Sequence, residues 1–153
     1  FSNLDDTYQL VIAGDPYGSF NEYLSLIDSS PNRERIKLFT RYISDKEVPL
    51  FFSAADVCVL PYRSATQSGI SAISYHFGLP MITTDVGGLK EAIENPGTGV
   101  VVERADEVLI SNAIKAFFAS GRRELYVKNI EREREKLSWS NFTEKLINLY
   151  NNL

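Results

Sequence analysis

Short β-branched runs alternate with helix-spaced stretches along almost the whole chain, and this alternation limits the fold more than any other feature. Tyr8–Ala13, Ile36–Phe39, Val57–Leu60, Met81–Thr84 and Gly99–Val102 read as strands. Asn21–Ser29 carries Tyr23, Leu24 and Ile27 at helical spacing. Ser44-Asp45-Lys46-Glu47 has capping-box spacing and opens a helix through Leu50, Phe51 and Ala54. Helices are predicted at Gly69–Phe77 and from Gly87-Gly88 through Ile93, the second stopped by Asn95-Pro96-Gly97. Asp106–Ala119 sets Val108, Leu109, Ala113, Ile114, Phe117 and Phe118 on one face. Arg122–Leu137 is a charged helix with Leu125, Ile130 and Leu137 available for packing. Ser138-Trp139-Ser140 interrupts it before a last helix, Asn141–Asn151, which carries Phe142, Leu146, Ile147 and Tyr150.

Connections this short between strands and helices predict an α/β, doubly wound, mostly parallel, Rossmann-like sheet. Val57–Leu60 is apolar throughout, as a strand covered on both faces should be. The chain of 153 residues suits a single domain, residues 1–153. It opens almost directly on a strand, so the fold is expected to lack its first strand.

Composition removes several function classes. A net charge of −4 carries no nucleic-acid footprint. No apolar run approaches the length of a membrane span, and no signal-peptide pattern opens the chain. Cys58 is the only cysteine, which excludes an internal disulfide and fits a cytoplasmic setting. It lies in a strand-like run and reads as a small buried hydrophobe. His76 is the only histidine, so Ser–His and Cys–His systems and His-rich metal sites have little to work with. The run Glu131–Lys136 alternates in sign and reads as a solvated helix face.

In open parallel sheets, ligands bind beyond the carboxyl ends of the strands. The loop Tyr62–Ser68 is the best anion candidate there. The helix after it begins near Gly69, where unpaired N–H groups and the positive end of the helix dipole meet. Ser64, Thr66, Gln67 and Ser68 donate hydrogen bonds without adding negative charge. The alternative is that Ser68 caps the helix and the loop is a solvated connection. Gly14-Asp15-Pro16-Tyr17-Gly18 matches neither GxGxxG nor a P-loop, and Asp15 reads as a turn residue. Asp85-Val86-Gly87-Gly88 reads as a tight turn with Gly88 near the N-cap. Either glycine also allows a ligand close to the backbone, and the two readings are compatible.

Taken together, Ile36–Phe52, Ala54–Tyr62, Ser64–Glu91, Gly97–Glu103 and Leu137–Tyr150 resemble the C-terminal, donor-binding domain of GT-B glycosyltransferases of the family-4 type. The resemblance covers essentially the whole chain. It implies that backbone amides around Thr66, Gln67, Ser68, Gly69 and Ile70 hold the diphosphate of a nucleotide-diphosphate sugar, UDP- or GDP-linked. Arg41, Tyr42 and Ile43, with Tyr62, would border the base and ribose. It implies no cofactor and no metal.

Two departures stand out. Family members carry two glutamates with seven residues between them across this loop and helix. An ungapped count from Pro80 places them at Ala65 and Ile73, whereas a gapped alignment gives Gln67 the first role. The Gly-Arg pair and lysine that neutralise the leaving diphosphate have no counterpart before Tyr8. The chain is therefore expected to be part of a longer, retaining enzyme of surface polysaccharide or glycan synthesis. No catalytic residue would lie within it, and a glycan or lipid-linked acceptor would bind an absent N-terminal domain. Such an enzyme is expected in the cytoplasm, peripheral at the inner face of the membrane. Alone, the chain should bind donor weakly and transfer nothing. The alternative is a non-catalytic, Rossmann-like nucleotide-binding or regulatory module.

Overall fold

A computed structural model describes residues 1–152; Leu153, the last residue of the expected domain, lies outside the described residues. The chain divides into two compact units, Phe1–Phe51 and Phe52–Leu153.

In the first unit, β1 (Leu10–Ala13) is followed by α1 (Asn21–Asp28), a 3-10 turn at Arg33–Arg35 and β2 (Ile36–Phe39). β1 and β2 pair in parallel, with Leu10 opposite Ile36 and Ala13 opposite Phe39. Arg35 ties the N-terminal segment to this pair. Its guanidinium donates to the carbonyls of Leu4, Asp5 and Tyr8 and lies 4.8 Å from the centre of the Phe1 ring. Leu4 and Ile36 are the buried hydrophobes of the unit. The helix α2 (Val48–Ala54) begins here, and the division between the units falls within it.

The second unit continues with β3 (Cys58–Leu60), α3 (Gly69–His76), β4 (Met81–Thr84), α4 (Leu89–Glu94) and β5 (Gly99–Val102). Then come α5 (Glu107–Ala119), α6 (Arg123–Lys136) and α7 (Trp139–Asn151). The sheet is parallel, in the order β3-β4-β5. β4 is flanked on both edges, and every residue of it is buried. Alternation along β4 feeds two cores. Ile82 packs with Val102, Ala113 and Phe117, joined by Leu109, Ile110, Ile114 and Tyr126 from the helices. Met81 packs with Leu60 and Ile93, joined by Tyr62 and Tyr75. A fully buried side chain of this size contributes roughly 1.5–3 kcal/mol. The polar residues of β4 are satisfied locally: Thr84 Oγ1 donates to the Tyr62 carbonyl at 2.6 Å.

These parallel strands with flanking helices match the doubly wound class, with the strands divided into a two-stranded and a three-stranded sheet and small shifts at helix ends. The interruption at 138–140 is the start of α7, since Ser138 accepts the Asn141 N–H. On α5 the buried face is narrower than its apolar spacing suggests. Ala113 and Phe117 are buried, while Val108 is 51% and Phe118 43% exposed. Six apolar positions span more of the helix circumference than one sheet face covers. Likewise Ile130 is fully buried on α6, but Leu125 and Leu137 are exposed, as is the apolar row of α7.

Candidate functional site

The loop between β3 and α3 is held at three points within its unit. Thr84 grips its start through the Tyr62 carbonyl. The Gly88 N–H donates to the Thr66 carbonyl at 3.1 Å. The Tyr62 and Ser68 hydroxyls meet at 3.1 Å and close the loop. Gly87 makes the middle contact possible. A Cβ there would stand 2.1 Å from the Ala65 carbonyl oxygen, and its φ of +54° is one that other residues rarely adopt. The close approach anticipated at these glycines is thus made by the chain's own loop, while Gly88 serves as the N-cap of α4.

α3 starts without a side-chain cap. Ser68 has the extended backbone of an N-cap residue, but its hydroxyl turns to Tyr62. Its carbonyl accepts from the Ser71 N–H and, at 2.6 Å, from the Ser71 hydroxyl. The N–H groups of Gly69 and Ile70 have no hydrogen-bond partner among the described residues. Gly69 is exposed, and a Cβ on it would meet nothing within 4 Å. Thr66, Gln67 and Ile70 are exposed. From Val57 to Thr84 the sequence holds no carboxylate, and its one permanent cation is Arg63. Nothing acidic on this stretch offsets the helix dipole.

In the first unit, Arg41, Tyr42 and Ile43 follow β2 in a turn built around Glu47. Arg41 reaches both Glu47 oxygens, at 3.1 and 2.5 Å, and donates to the Tyr42 carbonyl at 3.0 Å. Glu47 also accepts the Ser44 N–H at 3.1 Å and its hydroxyl at 2.7 Å. The predicted capping box is therefore half made: Glu47 reaches back to Ser44, while the Ser44 hydroxyl donates to Glu47 instead of capping. The Arg41 guanidinium, then the Ser44 hydroxyl and N–H, hold the Glu47 carboxyl at about 2, well below its ordinary range. The Tyr42 ring is 70% exposed. Neither Glu47 nor Thr84 was among the residues expected to matter; the Ser44–Glu47 spacing was the one sequence signal for the former.

The remaining candidates are structural. Burial pushes the Cys58 thiol up, away from reactivity. His76 is exposed and lies edge-on to Phe77. Asp85 pairs with Lys90 at 3.0 Å on the surface. A groove of about 520 Å³ is lined by α7 residues, including Trp139 and Ile147, and none of the loop residues. Among the described residues, no group of three His, Cys, Asp or Glu side chains could hold a metal ion. No described helix is long and apolar enough to cross a membrane.

The chain is similar to known proteins in sequence and in fold. It is 28% identical over 150 residues to the D-inositol 3-phosphate glycosyltransferase of Geodermatophilus obscurus, covering 96% of this chain and 33% of that protein. It spans about a third of the length of such curated relatives. Its fold is similar to that of Anabaena HepE, solved in complex with UDP (TM-score 0.77, 12% identity, 99% of this chain and 43% of that one). It is also similar to WaaG, a glycosyltransferase involved in lipopolysaccharide biosynthesis (TM-score 0.74, 19% identity, 90% and 37%). The model of the family "Glycosyl transferases group 1" matches residues 2–120. With most of its length matched by that model, this chain belongs to the group 1 glycosyl transferases.

Proposed function

We propose that this chain is the donor-binding part of a retaining glycosyltransferase and that it takes a nucleotide-diphosphate sugar. One observation carries the reading: α3 begins at an exposed glycine with free N–H groups, behind a loop pinned so that its own serine does not cap them. Such a terminus suits a diphosphate, because several N–H dipoles converge on one anion. Thr66, Gln67, Ser68, Gly69 and Ile70 would hold it. The HepE complexes with UDP and UDP-glucose favour a uridine-linked donor. Synthesis of a surface polysaccharide or other glycan, at the cytoplasmic face of a membrane and onto an acceptor bound elsewhere in a whole enzyme of 1–153 and more, completes the proposal.

A titration of the chain with UDP, GDP, ADP and NAD, followed by backbone amide NMR, tests it. One nucleoside diphosphate should move the amides of Gln67–Ile70, at an affinity no better than about 1 mM, or about 4 kcal/mol. No response from any of them would reduce the loop to a connection.

A second reading is a non-catalytic nucleotide-binding module. Ala65 and Ile73 favour it, since neither side chain accepts a hydrogen bond and Ile73 is half-buried on α3. In a whole enzyme, Gln67→Ala and Gly69→Val should each lose sugar transfer; a module would have no transfer to lose.

A further inference from the structure

We propose that Tyr62 is a positioning residue for the anion site. Its hydroxyl keeps the Ser68 hydroxyl off the start of α3, so that an amide there stays free for the donor's diphosphate. The inference rests on the donor-binding reading above and lies wholly within the second unit. Ser68 has the residue type and the extended backbone of a competent N-cap, with φ −134° and ψ 120°, yet its side chain caps no amide of α3. Its hydroxyl instead meets the Tyr62 hydroxyl at 3.1 Å. A serine cap takes the second or third N–H of its helix. The third, that of Ser71, already donates to the Ser68 carbonyl. The second, that of Ile70, has no partner among the described residues, and a cap would therefore fall on it.

Tyr62 is anchored before its hydroxyl reaches Ser68. Its carbonyl accepts from the buried Thr84 Oγ1 at 2.6 Å, and its ring packs against the core of Leu60, Met81 and Ile93. Ser68 has no comparable anchor on its side chain. A serine hydroxyl turns readily among staggered positions, so without its Tyr62 partner it can swing to the Ile70 N–H. A cap and a bound anion compete for that group, because an N–H at a helix start has one proton to donate. The wild-type chain leaves the group open and forgoes the stability of a cap. Removing the Tyr62 hydroxyl should therefore move capping and anion binding in opposite directions.

The test is Tyr62→Phe, which retains the ring and its packing and removes only the hydroxyl. Hydrogen exchange of the Ile70 amide is read in the free chain, beside the melting temperature. UDP and inorganic diphosphate affinities are read by amide NMR. The Ile70 amide should exchange more slowly than in wild type, with the melting temperature no lower. Both ligands should bind about fivefold more weakly, because each must displace the cap. In a Ser68→Ala background, Tyr62→Phe should leave both affinities where Ser68→Ala alone puts them, since no cap can form. A direct contact between Tyr62 and the nucleoside predicts another pattern. UDP then weakens, diphosphate does not, and the loss persists in the Ser68→Ala background. That pattern overturns the proposal, as does an unchanged Ile70 exchange rate. A loss of both affinities that comes with a lower melting temperature marks a purely structural role and overturns it too. If the wild-type chain binds the ligands and Tyr62→Phe binds them equally well, the positioning role falls and the donor reading stands. If the wild-type chain binds neither ligand, the donor reading itself fails and the role of Tyr62 with it.

Discussion

Two glycines on either side of one backbone contact have opposite tolerances. Gly87 has a left-handed φ, and a Cβ there would press on the Ala65 carbonyl. Gly87→Ala should therefore destabilise the chain by about 2 kcal/mol or more, read as a lower denaturation midpoint. Gly69 has neither constraint: its Cβ position is open and its φ is not left-handed. Gly69→Val should melt close to wild type, apart from the small helix-propensity cost of a branched residue, and yet lose the diphosphate-induced amide shifts at 67–70. A Gly69→Val chain that still responds to UDP would remove the helix start from the site. The types of these residues were visible in the sequence, but their tolerances were not. Ala65 and Gly87 are far apart in the chain, and only the folded loop brings them together.

Capping distinguishes the helices from one another. α5 is closed by Asp106, whose carboxylate accepts the Val108 N–H at 2.9 Å and the Leu109 N–H at 3.0 Å. α7 is closed by Ser138. α3 has an N-cap serine of equal competence and does not use it, because Tyr62 takes the hydroxyl. The Leu109 N–H, then the Val108 N–H and Arg104, hold the Asp106 carboxyl below its ordinary range. A depressed carboxylate contributes stability above its unfolded value, and that contribution is lost as pH falls through the folded value. Asp106→Ala should thus lower the melting temperature by a few degrees at neutral pH. The gap from wild type should close as the solution is acidified below the usual carboxylate range. A gap independent of pH would show that the ionised form of the cap adds nothing over the protonated one. Strand positions were legible because each is a short β-branched run between turn residues. The outward sides of α5 and α6 were not, because periodicity marks apolar positions without saying how wide a surface covers them.

Across the molecule, protection should follow the sheet of the second unit. β4 is paired on both edges and buried on both faces. Its amides should exchange most slowly with deuterium, those of the paired but half-exposed β1 much faster. Equal rates in both would indicate one cooperative unit where contacts separate two. Sequence by itself determined the order of strands and helices, the parallel doubly wound class and the polar, acid-free loop before α3. Those features follow from local pattern, turn chemistry and side-chain type, which act over a few residues. Tertiary structure alone decided that Ser68 leaves its helix uncapped, that Gly87 supports the loop instead of a ligand, and that Arg41 is held by Glu47. Each of these is a choice among several partners that the side chain or backbone could satisfy, and only the packed neighbours leave one within hydrogen-bonding reach.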